Sequence, residues 1–320
     1  MLRASMAPAT MVSTRAETRT SVLLVVAAAA LWSTGGVGVK VADAEPLVVA
    51  GLRSAFALVF MLGVVAARLR GRLGVVRALL RRPLVWAAAA SYALMVVMFV
   101  LSARRTTAAN AIFIQYTGPV YVALLSGPLL GEKPTRRDLF AIAFCVLGMA
   151  LTFGGELGGG RAAGNALAIL SSFGFAGLPL LLRVDQKRID ARLAADAPLV
   201  AMSLGNALAA AVAMPAMLAH PPSGPAQGRT LVVLLLLGTL QIGLPYVLYG
   251  IAVRKLRALD SSLVATIEPV LAPIWVLLAT GEKPSAMAAA GGATIVAAVV
   301  IQTLGKREGE TVPAAPGGEG

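Results

Sequence analysis

One short phrase occurs twice in this chain, 150 positions apart, and it constrains the fold more than any other feature. Pro119-Val120 followed by Gly131-Glu132-Lys133-Pro134 returns as Pro269-Val270 followed by Gly281-Glu282-Lys283-Pro284. Each copy closes a long apolar segment. A match at one fixed offset, with the same gap inside it, indicates two copies of one structural unit.

The composition indicates whether these units fold in water or in a membrane. Hydrophobic residues make up 58% of the chain and charged residues only 13%. A soluble domain has about a quarter of its residues charged, so this chain would lack the polar surface to cover two soluble domains. The sequence therefore predicts a polytopic membrane protein. Cys145, the only cysteine, lies in an apolar run, which excludes a disulfide framework and a cysteine metal site.

Ten segments come within a few residues of the roughly 20 apolar residues that a membrane-crossing helix needs. They lie near 21–39, 46–67, 83–103, 107–130, 138–154, 162–182, 197–219, 230–252, 258–280 and 285–304. We expect disordered cytoplasmic tails at 1–19 and 306–320, where the chain is polar or rich in Gly, Pro and Glu. The two five-helix repeats then occupy 20–155 and 162–305.

The placement of Lys and Arg predicts the orientation. With the N-terminus inside the cell, 21 of these residues fall in inner segments and six in outer loops. This bias predicts a protein of the cell (inner) membrane with both termini in the cytoplasm. It also accounts for the formal net charge of +13, so nucleic acid is not expected as a partner.

An odd number of spans in each copy has a geometric consequence. The second copy must enter the membrane from the opposite side, so the two units are inverted relative to each other. Inverted repeats are typical of secondary transporters, which hold the substrate near the midplane between the halves. The sequence thus predicts an all-α membrane protein with ten transmembrane helices, arranged as two inverted five-helix repeats around a central cavity.

These residues resemble a known family. Two five-helix units whose fourth helix ends in Pro-Val and Gly-Glu-Lys-Pro are similar to the EamA-type transporters of the drug/metabolite transporter superfamily. Leu31-Trp32-Ser33 with Lys40, and Arg53, resemble the pattern of the first unit, and Glu268-Pro269 resembles the ninth helix. The resemblance implies ten helices, a central cavity, and export of small metabolites or drugs by alternating access. The sixth helix lacks a tryptophan matching Trp32, so an aromatic wall is expected in one half only.

Two charges fall inside predicted spans, Arg53 in the second and Glu268 in the ninth. A charge at mid-bilayer costs about 2.5–3.5 kcal/mol on insertion scales, so both should face the protein interior or water. In one interpretation they form an ion pair, or Arg53 extends its charge toward the membrane surface, and either arrangement only fixes helix packing. In the other they contact substrate, or Glu268 takes up and releases the coupling proton.

Further cavity candidates are polar or aromatic residues in otherwise apolar spans: Trp32, Ser33, Asn110, Gln115, Tyr116, Thr117, Tyr121, Gln241 and Tyr246. Hydrogen bonding between helices or core packing competes with cavity lining for each of them. A kink at Pro245 would free backbone carbonyls beside Gln241 and Tyr246. We interpret Asp260-Ser261-Ser262 as a helix N-cap. We interpret the repeated Gly-Glu-Lys-Pro as a helix end.

Several chemistries have no sequence signal. His220 is the only histidine, and no Gly-rich nucleotide loop or His-Glu-x-x-His motif occurs. We therefore expect no cofactor, no metal and no enzymatic activity. The favoured function is a secondary active transporter that exports small organic metabolites, amino-acid-like or amphipathic, or drugs. An importer of the same fold, a membrane receptor, and an enzyme acting on lipid-linked substrates are the alternatives.

Overall fold

The computed structural model describes residues 15–106, 108–153, 162–280 and 286–304, and all regular structure in these ranges is helical. The first half contains α1 (Arg15–Trp32), α2 (Gly35–Val41), α3 (Pro46–Arg68), α4 (Leu73–Leu80), α5 (Pro83–Arg105), α6 (Ala108–Gln115), α7 (Gly118–Leu130) and α8 (Arg136–Phe153). The second half contains α9 (Ala162–Arg188), α10 (Ala191–Ala194), α11 (Ala197–Ala219), α12 (Gln227–Leu236), a π-helical segment (Leu237–Gly243), α13 (Leu244–Ala252), α14 (Ala258–Ala265), α15 (Glu268–Thr280) and α16 (Ala286–Leu304).

Each of the ten predicted segments falls on a helix or on consecutive helices. Within the described residues, six helical stretches are long and apolar enough to cross a membrane. They are Pro46–Arg68, Pro83–Arg105, Asn110–Leu130, Ala162–Arg188, Ala197–Ala219 and Gln227–Ala252, and α16 adds the shorter apolar stretch Ala289–Ile301. The Gly281-Glu282-Lys283-Pro284 phrase, the link at 154–161, and the tails at 1–14 and 305–320 lie outside the described residues.

The predicted N-terminal tail overlaps the first helix. We assigned residues 1–19 to a disordered tail, but α1 already begins at Arg15. The Thr20 hydroxyl donates to the Ala16 carbonyl, and Glu17 forms an ion pair with Lys255 of the second half. These polar contacts extend the helix beyond its apolar part, which is why hydropathy alone placed the boundary too late.

The repeated phrase produces a repeated break in the fourth and ninth spans. Helices α6 and α7 begin and end 150 positions before α14 and α15, so each span is two half-helices that meet at Tyr116-Thr117 or at Thr266-Ile267. Pro119 and Pro269 are the second residues of α7 and α15. Proline has no N–H to donate to the preceding turn, which favours a break at this point of the helix. The hydroxyls of Thr117 and Thr266 bond carbonyls three residues back.

The first and eighth spans are also irregular. Between α1 and α2 the chain turns at Ser33-Thr34, whose hydroxyls bond the carbonyls of Ala30 and Leu31. The predicted kink at Pro245 takes the form of the π-helical segment just before it. A π-helical insertion in an α-helix is often found at a functional site. All four irregular spans therefore interrupt regular backbone in the middle of the bundle.

Corresponding helices of the two halves pack antiparallel. On α3, Gly51 lies against Ala213 and Met217, whereas Arg68 bonds Asp196 at the opposite end of α11. Gly148 of α8 lies against Gly291 of α16, and the Arg137 guanidinium donates to the Ile301 carbonyl. Cβ atoms at Gly51 and Gly148 would lie within 2.8 Å of neighbouring atoms, so these glycines permit the close helix approach.

The third and sixth spans also pack antiparallel. Ser102 on α5 bonds the Gly164 carbonyl, Ser171 bonds the Met95 carbonyl, and Arg82 bonds Asp185. The first and eighth spans repeat this arrangement, with Gly38 against Leu237 and Trp32 against Tyr246. The halves are therefore joined along several pairs of long helices, and they enclose a common core.

Ion pairs within the described residues gather at one end of the bundle, which we call the ion-pair end. Here the halves are joined by Arg68–Asp196, Arg72–Asp196, Arg82–Asp185, Arg183–Glu132, Lys187–Glu132, Lys255–Glu17 and Arg257–Asp138. Arg257 also pairs with Asp260 of its own half. At the opposite end, Arg104 instead donates to the carbonyls of Val39 and Ala42.

Candidate functional site

Arg53 lies inside the bundle, and no carboxylate of the described residues is within hydrogen-bonding reach of it. It projects from α3, is 3% exposed, and its Nε has no hydrogen-bond partner among the described residues. It does not form an ion pair with Glu268. Tyr92, Tyr246 and Glu268 nevertheless lie within electrostatic range of Arg53. The direct ion pair, one of the two interpretations from the sequence, is absent from this conformation.

Four aromatic residues pack on one another inside the bundle, and two of them, Tyr92 and Tyr246, lie near Arg53. Trp32 packs on Tyr246 with ring centroids 4.8 Å apart and on Tyr249 at 5.7 Å. Tyr92 meets the edge of Tyr246 at 4.7 Å. We call Trp32, Tyr92, Tyr246 and Tyr249 the aromatic cluster. It combines helices of both halves, because Trp32 and Tyr92 belong to the first and Tyr246 and Tyr249 to the second.

Glu268 is held by a residue from the other half. The Tyr116 hydroxyl donates to Glu268 Oε2 at 2.5 Å. Glu268 is the first residue of α15, and Tyr116 lies in the break between α6 and α7. A carboxylate at a helix N-terminus is favoured by the partial positive charge of the free backbone N–H groups. The two repeated breaks are thus joined by one hydrogen bond near the centre of the protein.

The backbone around Arg53 is positioned by small residues of the π-helical segment. A Cβ at Gly238 would lie 2.5 Å from the Arg53 carbonyl oxygen, so only glycine lets this segment approach α3 so closely. On its other side, Gln241 donates Nε2 to the Trp32 carbonyl. The Gln241 Oε1 and Trp32 Nε1 atoms are buried without a partner among the described residues. One acceptor and two donors, including Arg53 Nε, are therefore buried here without a hydrogen-bond partner among the described residues.

Ser33 takes part in a separate contact between the halves. Its hydroxyl accepts a hydrogen bond from Trp275 Nε1 at 2.6 Å and donates to the Ala30 carbonyl. Because both its hydrogen-bonding roles are filled, Ser33 positions α1 against α15. Trp275 was not among the residues singled out from the sequence.

Other predicted cavity residues lie away from the aromatic cluster. Asn110 donates to Thr106 and to Asn165 in a hydrogen-bonded group toward the end opposite the ion-pair end. Tyr121 packs on Phe173 at 4.8 Å, and Phe173 is half exposed on the outside of α9. Thr117 bonds the Ile114 carbonyl. Asn110 belongs to α6, Thr117 lies in the break, and Tyr121 belongs to α7, so the three residues are not on one continuous helix. Gln115 is buried, and as a cavity residue it stays a prediction.

Three residues near the site gave only weak signals in the sequence. Tyr92 is the single tyrosine of an apolar span, and Asn206 Nδ2 donates to its hydroxyl at 3.0 Å. Phe175 of the sixth span packs on Tyr116 at 5.1 Å, so this span supplies an aromatic ring although it lacks a tryptophan. A lone polar atom in an apolar run is the signal that would have identified Tyr92 and Asn206.

The first copy of the Gly-Glu-Lys-Pro phrase forms a helix end, as predicted, and the second copy lies outside the described residues. Gly131 has a positive φ of 67° and terminates α7, and the Lys187 ammonium donates to the last carbonyl, that of Leu130. Glu132, however, is also buried in ion pairs with Arg183 and Lys187. The first copy therefore joins the halves at the ion-pair end, a role that the helix-end interpretation did not include.

Asp260 occupies a different position from the one expected. Arg257 is the N-cap of α14, and Asp260 lies in the first turn, where both its oxygens accept from Arg257. Arg257 also donates to both oxygens of Asp138. Burial would lower the pKa of Arg257, but these two carboxylates raise it above its ordinary value. Arg257 is therefore a fixed positive charge that joins the fifth and ninth spans.

Comparison with known proteins agrees with this architecture. The model of the EamA-like transporter family matches residues 19–154 and again residues 162–304. A solved structure described only as "Crystal structure of protein" aligns with 91% of this chain and 98% of its own, at 18% identity and a TM-score of 0.73. That likeness establishes a shared fold. No curated protein matches the sequence. Two family matches cover most of the chain, one in each half, and this integral multi-pass membrane protein therefore belongs to the EamA-like transporter family.

Proposed function

We propose that the protein is a secondary active exporter of small organic molecules that carry a carboxylate or similar anionic group beside an apolar body, such as amino-acid-like or amphipathic metabolites. One observation carries this proposal: Arg53 is buried near Tyr92 and Tyr246 of the aromatic cluster and forms no ion pair with a carboxylate of the described residues. Isolated buried charges are unfavourable, so a ligand that supplies an anion would relieve this one.

The remaining groups of the site fit the same class of ligand. The flat rings of Trp32 and Tyr246 offer an apolar surface, and aromatic faces also attract cations. Glu268, bonded to Tyr116, supplies a negative group for an ammonium or a proton. A zwitterion would bind its carboxylate to Arg53 and its cationic end toward Glu268. The two groups come from different halves, so such a ligand would join them.

The proposed topology is ten transmembrane helices in two inverted repeats, with both termini in the cytoplasm of the cell (inner) membrane. The antiparallel packing of α3 with α11 and of α8 with α16 supports the inversion, because these are the corresponding helices of the two halves. The matching breaks of the fourth and ninth spans support it as well. Discontinuous helices at a repeat interface are typical of secondary transporters.

Alternating access follows from the uneven distribution of the ion pairs. Within the described part of the chain, seven ion pairs join the halves at the ion-pair end, which the Lys/Arg distribution assigns to the cytoplasm. We propose that this conformation is closed toward the cytoplasm, and that these pairs separate when the site opens inward to load substrate. Return of the pairs closes the cytoplasmic side behind the substrate.

Binding and flux of the purified protein test the proposal. In proteoliposomes, a panel of radiolabelled zwitterionic and anionic metabolites should identify compounds that move faster with the protein than without it. Arg53→Gln should then weaken binding of an active compound about 10- to 100-fold, since a hydrogen bond to a charged group contributes about 1.5–3 kcal/mol. Arg53→Lys should not restore binding fully, because an ammonium cannot form the bidentate contact of a guanidinium.

A matched pair of tyrosines provides the control. Tyr116→Phe removes the hydroxyl that bonds Glu268, whereas Tyr121→Phe removes one from a ring that packs on Phe173. We expect the first to impair transport and the second to leave it near the wild-type rate. Equal flux with and without the protein for every compound would instead favour a receptor or an enzyme. Transport of substrate only into the cell, opposite to the predicted export, would favour an importer.

Proton coupling is tested separately at Glu268. We propose that, during the transport cycle, the Glu268 carboxylate loses the hydrogen bond from Tyr116 and takes up a proton. Glu268→Gln keeps the shape but cannot ionise, so an imposed pH gradient should no longer drive uptake into inverted vesicles. Exchange of substrate across the membrane without a gradient should persist. Undiminished gradient-driven transport by this variant would rule out Glu268 as the coupling residue.

A further inference from the structure

An arginine-rich surface surrounds α4, the short helix between the second and third spans. Residues 68–82 contain six arginines and no acidic residue. Three of the six are used within the protein, because Arg68 and Arg72 pair with Asp196 and Arg82 pairs with Asp185. The other three are exposed and have no ion pair or hydrogen bond within the described residues: Arg70, Arg77 and Arg81.

Apolar side chains lie among these free arginines. Leu79 is buried and holds α4 against the bundle, whereas Leu73 is 79% exposed and Leu80 is also exposed. Leu73, Arg77 and Leu80 are spaced by four and three residues, so they share the outward face of the helix. A face that alternates leucine and arginine suits the boundary between lipid chains and water, where arginine extends its charge away from its apolar stem.

A tryptophan fixes the depth of this surface. Trp86, in the first turn of α5, is 43% exposed, and its Nε1 donates to the Leu80 carbonyl at 2.8 Å. Tryptophan is enriched at the interface of membranes, with its ring among the lipid chains and its N–H toward the polar region. The bond ties Trp86 to the end of α4, so the ring and the arginines lie at one level. We call Arg70, Leu73, Arg77, Leu80, Arg81 and Trp86 the α4 surface.

We propose that the α4 surface binds the phosphate headgroup of an anionic phospholipid. The guanidinium groups of Arg77 and Arg81 would hold phosphate oxygens, for which the planar donor geometry of arginine is well suited. Leu73, Leu80 and Trp86 would contact the upper part of the acyl chains. A free phosphate would meet the arginines but would leave these three apolar side chains without a partner, so the occupant is a lipid.

This inference is independent of the substrate site, because the α4 surface lies outside the bundle. The α4 surface belongs to the segment that connects α3 to α5 at the ion-pair end, where Arg72 and Arg82 form ion pairs with the second half. A lipid bound on α4 would therefore lie next to the residues that join the halves. It differs from a general positive-inside bias, since it predicts a stoichiometric and headgroup-selective site.

Native mass spectrometry of the full chain in neutral detergent micelles tests the proposal, with phosphatidylglycerol and phosphatidylcholine as the two probes. The wild-type protein should retain phosphatidylglycerol in preference to phosphatidylcholine. Arg77→Gln with Arg81→Gln should lower the affinity for phosphatidylglycerol about 25-fold, because each basic residue near an anionic lipid contributes about fivefold. Leu73→Ser should weaken binding of both lipids.

The matched control removes two exposed arginines at the other end of the bundle, Arg105→Gln with Arg229→Gln. It should bind phosphatidylglycerol as the wild type does. Soluble glycerol phosphate at equal concentration should not displace the lipid. Unchanged lipid affinity in the Arg77/Arg81 variant, an equal loss in the control, or displacement by glycerol phosphate would each overturn the proposal. Protection of the buried Cys145 thiol confirms that each variant is folded.

Discussion

The ion pair between Arg82 and Asp185 makes a sharp prediction, because its two partners are buried to different extents. Arg82 donates Nε and Nη2 to Asp185 Oδ1, at 2.9 and 2.7 Å. The aspartate side chain is 2% exposed, but that of the arginine is 26% exposed. Arg82→Gln and Asp185→Asn each abolish the pair. They leave behind charges in very different surroundings.

The size of each effect follows from the charge that remains. Arg82→Gln leaves a buried carboxylate whose Oδ2 already has no partner among the described residues, and removing one partner of a buried pair costs about 3–5 kcal/mol. Asp185→Asn leaves an arginine that can turn toward water, so we expect a loss of about 1.5 kcal/mol. The double variant should fall near Asp185→Asn, because no unpaired charge remains.

The single cysteine provides the assay. Cys145 is 2% exposed, so a thiol-reactive fluorophore labels it only as the protein unfolds. The midpoint of labelling during heating in detergent gives Tm. A loss of about 3 kcal/mol corresponds to a decrease in Tm on the order of 10 °C, and Asp185→Asn should lower Tm by less than half as much.

Arg136→Gln is the matched control, because it removes a charge at the same end of the bundle that is exposed and has no ion pair or side-chain hydrogen bond within the described residues. Its effect should stay within about 0.5 kcal/mol. The reasoning would be refuted if Asp185→Asn lowered Tm as much as Arg82→Gln. It would also be refuted if the double variant showed the sum of the two single effects, since the partners would then not be coupled.

Three further substitutions test the packing around the site. Gly174→Ala would place a Cβ 2.6 Å from backbone atoms of α5, so we expect a loss of about 1–3 kcal/mol of stability by the same Tm assay, whereas Gly63→Ala, with open space around it, should be neutral or stabilising. Asn206→Ala leaves the buried Tyr92 hydroxyl without its donor and should cost about 1–3 kcal/mol; combined with Tyr92→Phe the added cost should largely disappear. Gly238→Ala forces the π-helical segment away from Arg53. The loss of free energy of substrate binding should therefore be larger than the loss of free energy of unfolding obtained from Tm.

The order and the limits of the helices were largely predictable, because they depend on local properties of the chain. Apolar runs set the spans, and Pro83, Pro198 and Gly131 lie where α5 and α11 begin and α7 ends. Hydropathy predicts too late a start for α1, because the first turns of this helix are polar and hydropathy identifies only apolar runs. The breaks at Tyr116-Thr117 and Thr266-Ile267 were not predicted, although the repeated prolines that cause them were the first feature noticed.

The candidate site was predicted only in part. Trp32, Arg53, Tyr116, Gln241, Tyr246 and Glu268 all lie in or beside the central group, because polar and aromatic residues in apolar spans tend to face inward. Asn110 and Tyr121 satisfy the same pattern, yet they bond Asn165 and pack on Phe173. Sequence spacing along one helix cannot distinguish these cases. Whether an inward-facing side chain joins the central group or bonds another helix depends on the residues of the neighbouring helix.

The sequence alone determined that this chain is a duplicated bundle of membrane helices, because repeat, hydropathy and charge bias are written along the chain. Only the tertiary structure decided that Glu268 bonds Tyr116 while Arg53 stays without a carboxylate, and that the halves are joined by ion pairs at one end. Such contacts connect residues more than 100 positions apart. Their geometry depends on how whole helices pack, which no local pattern specifies.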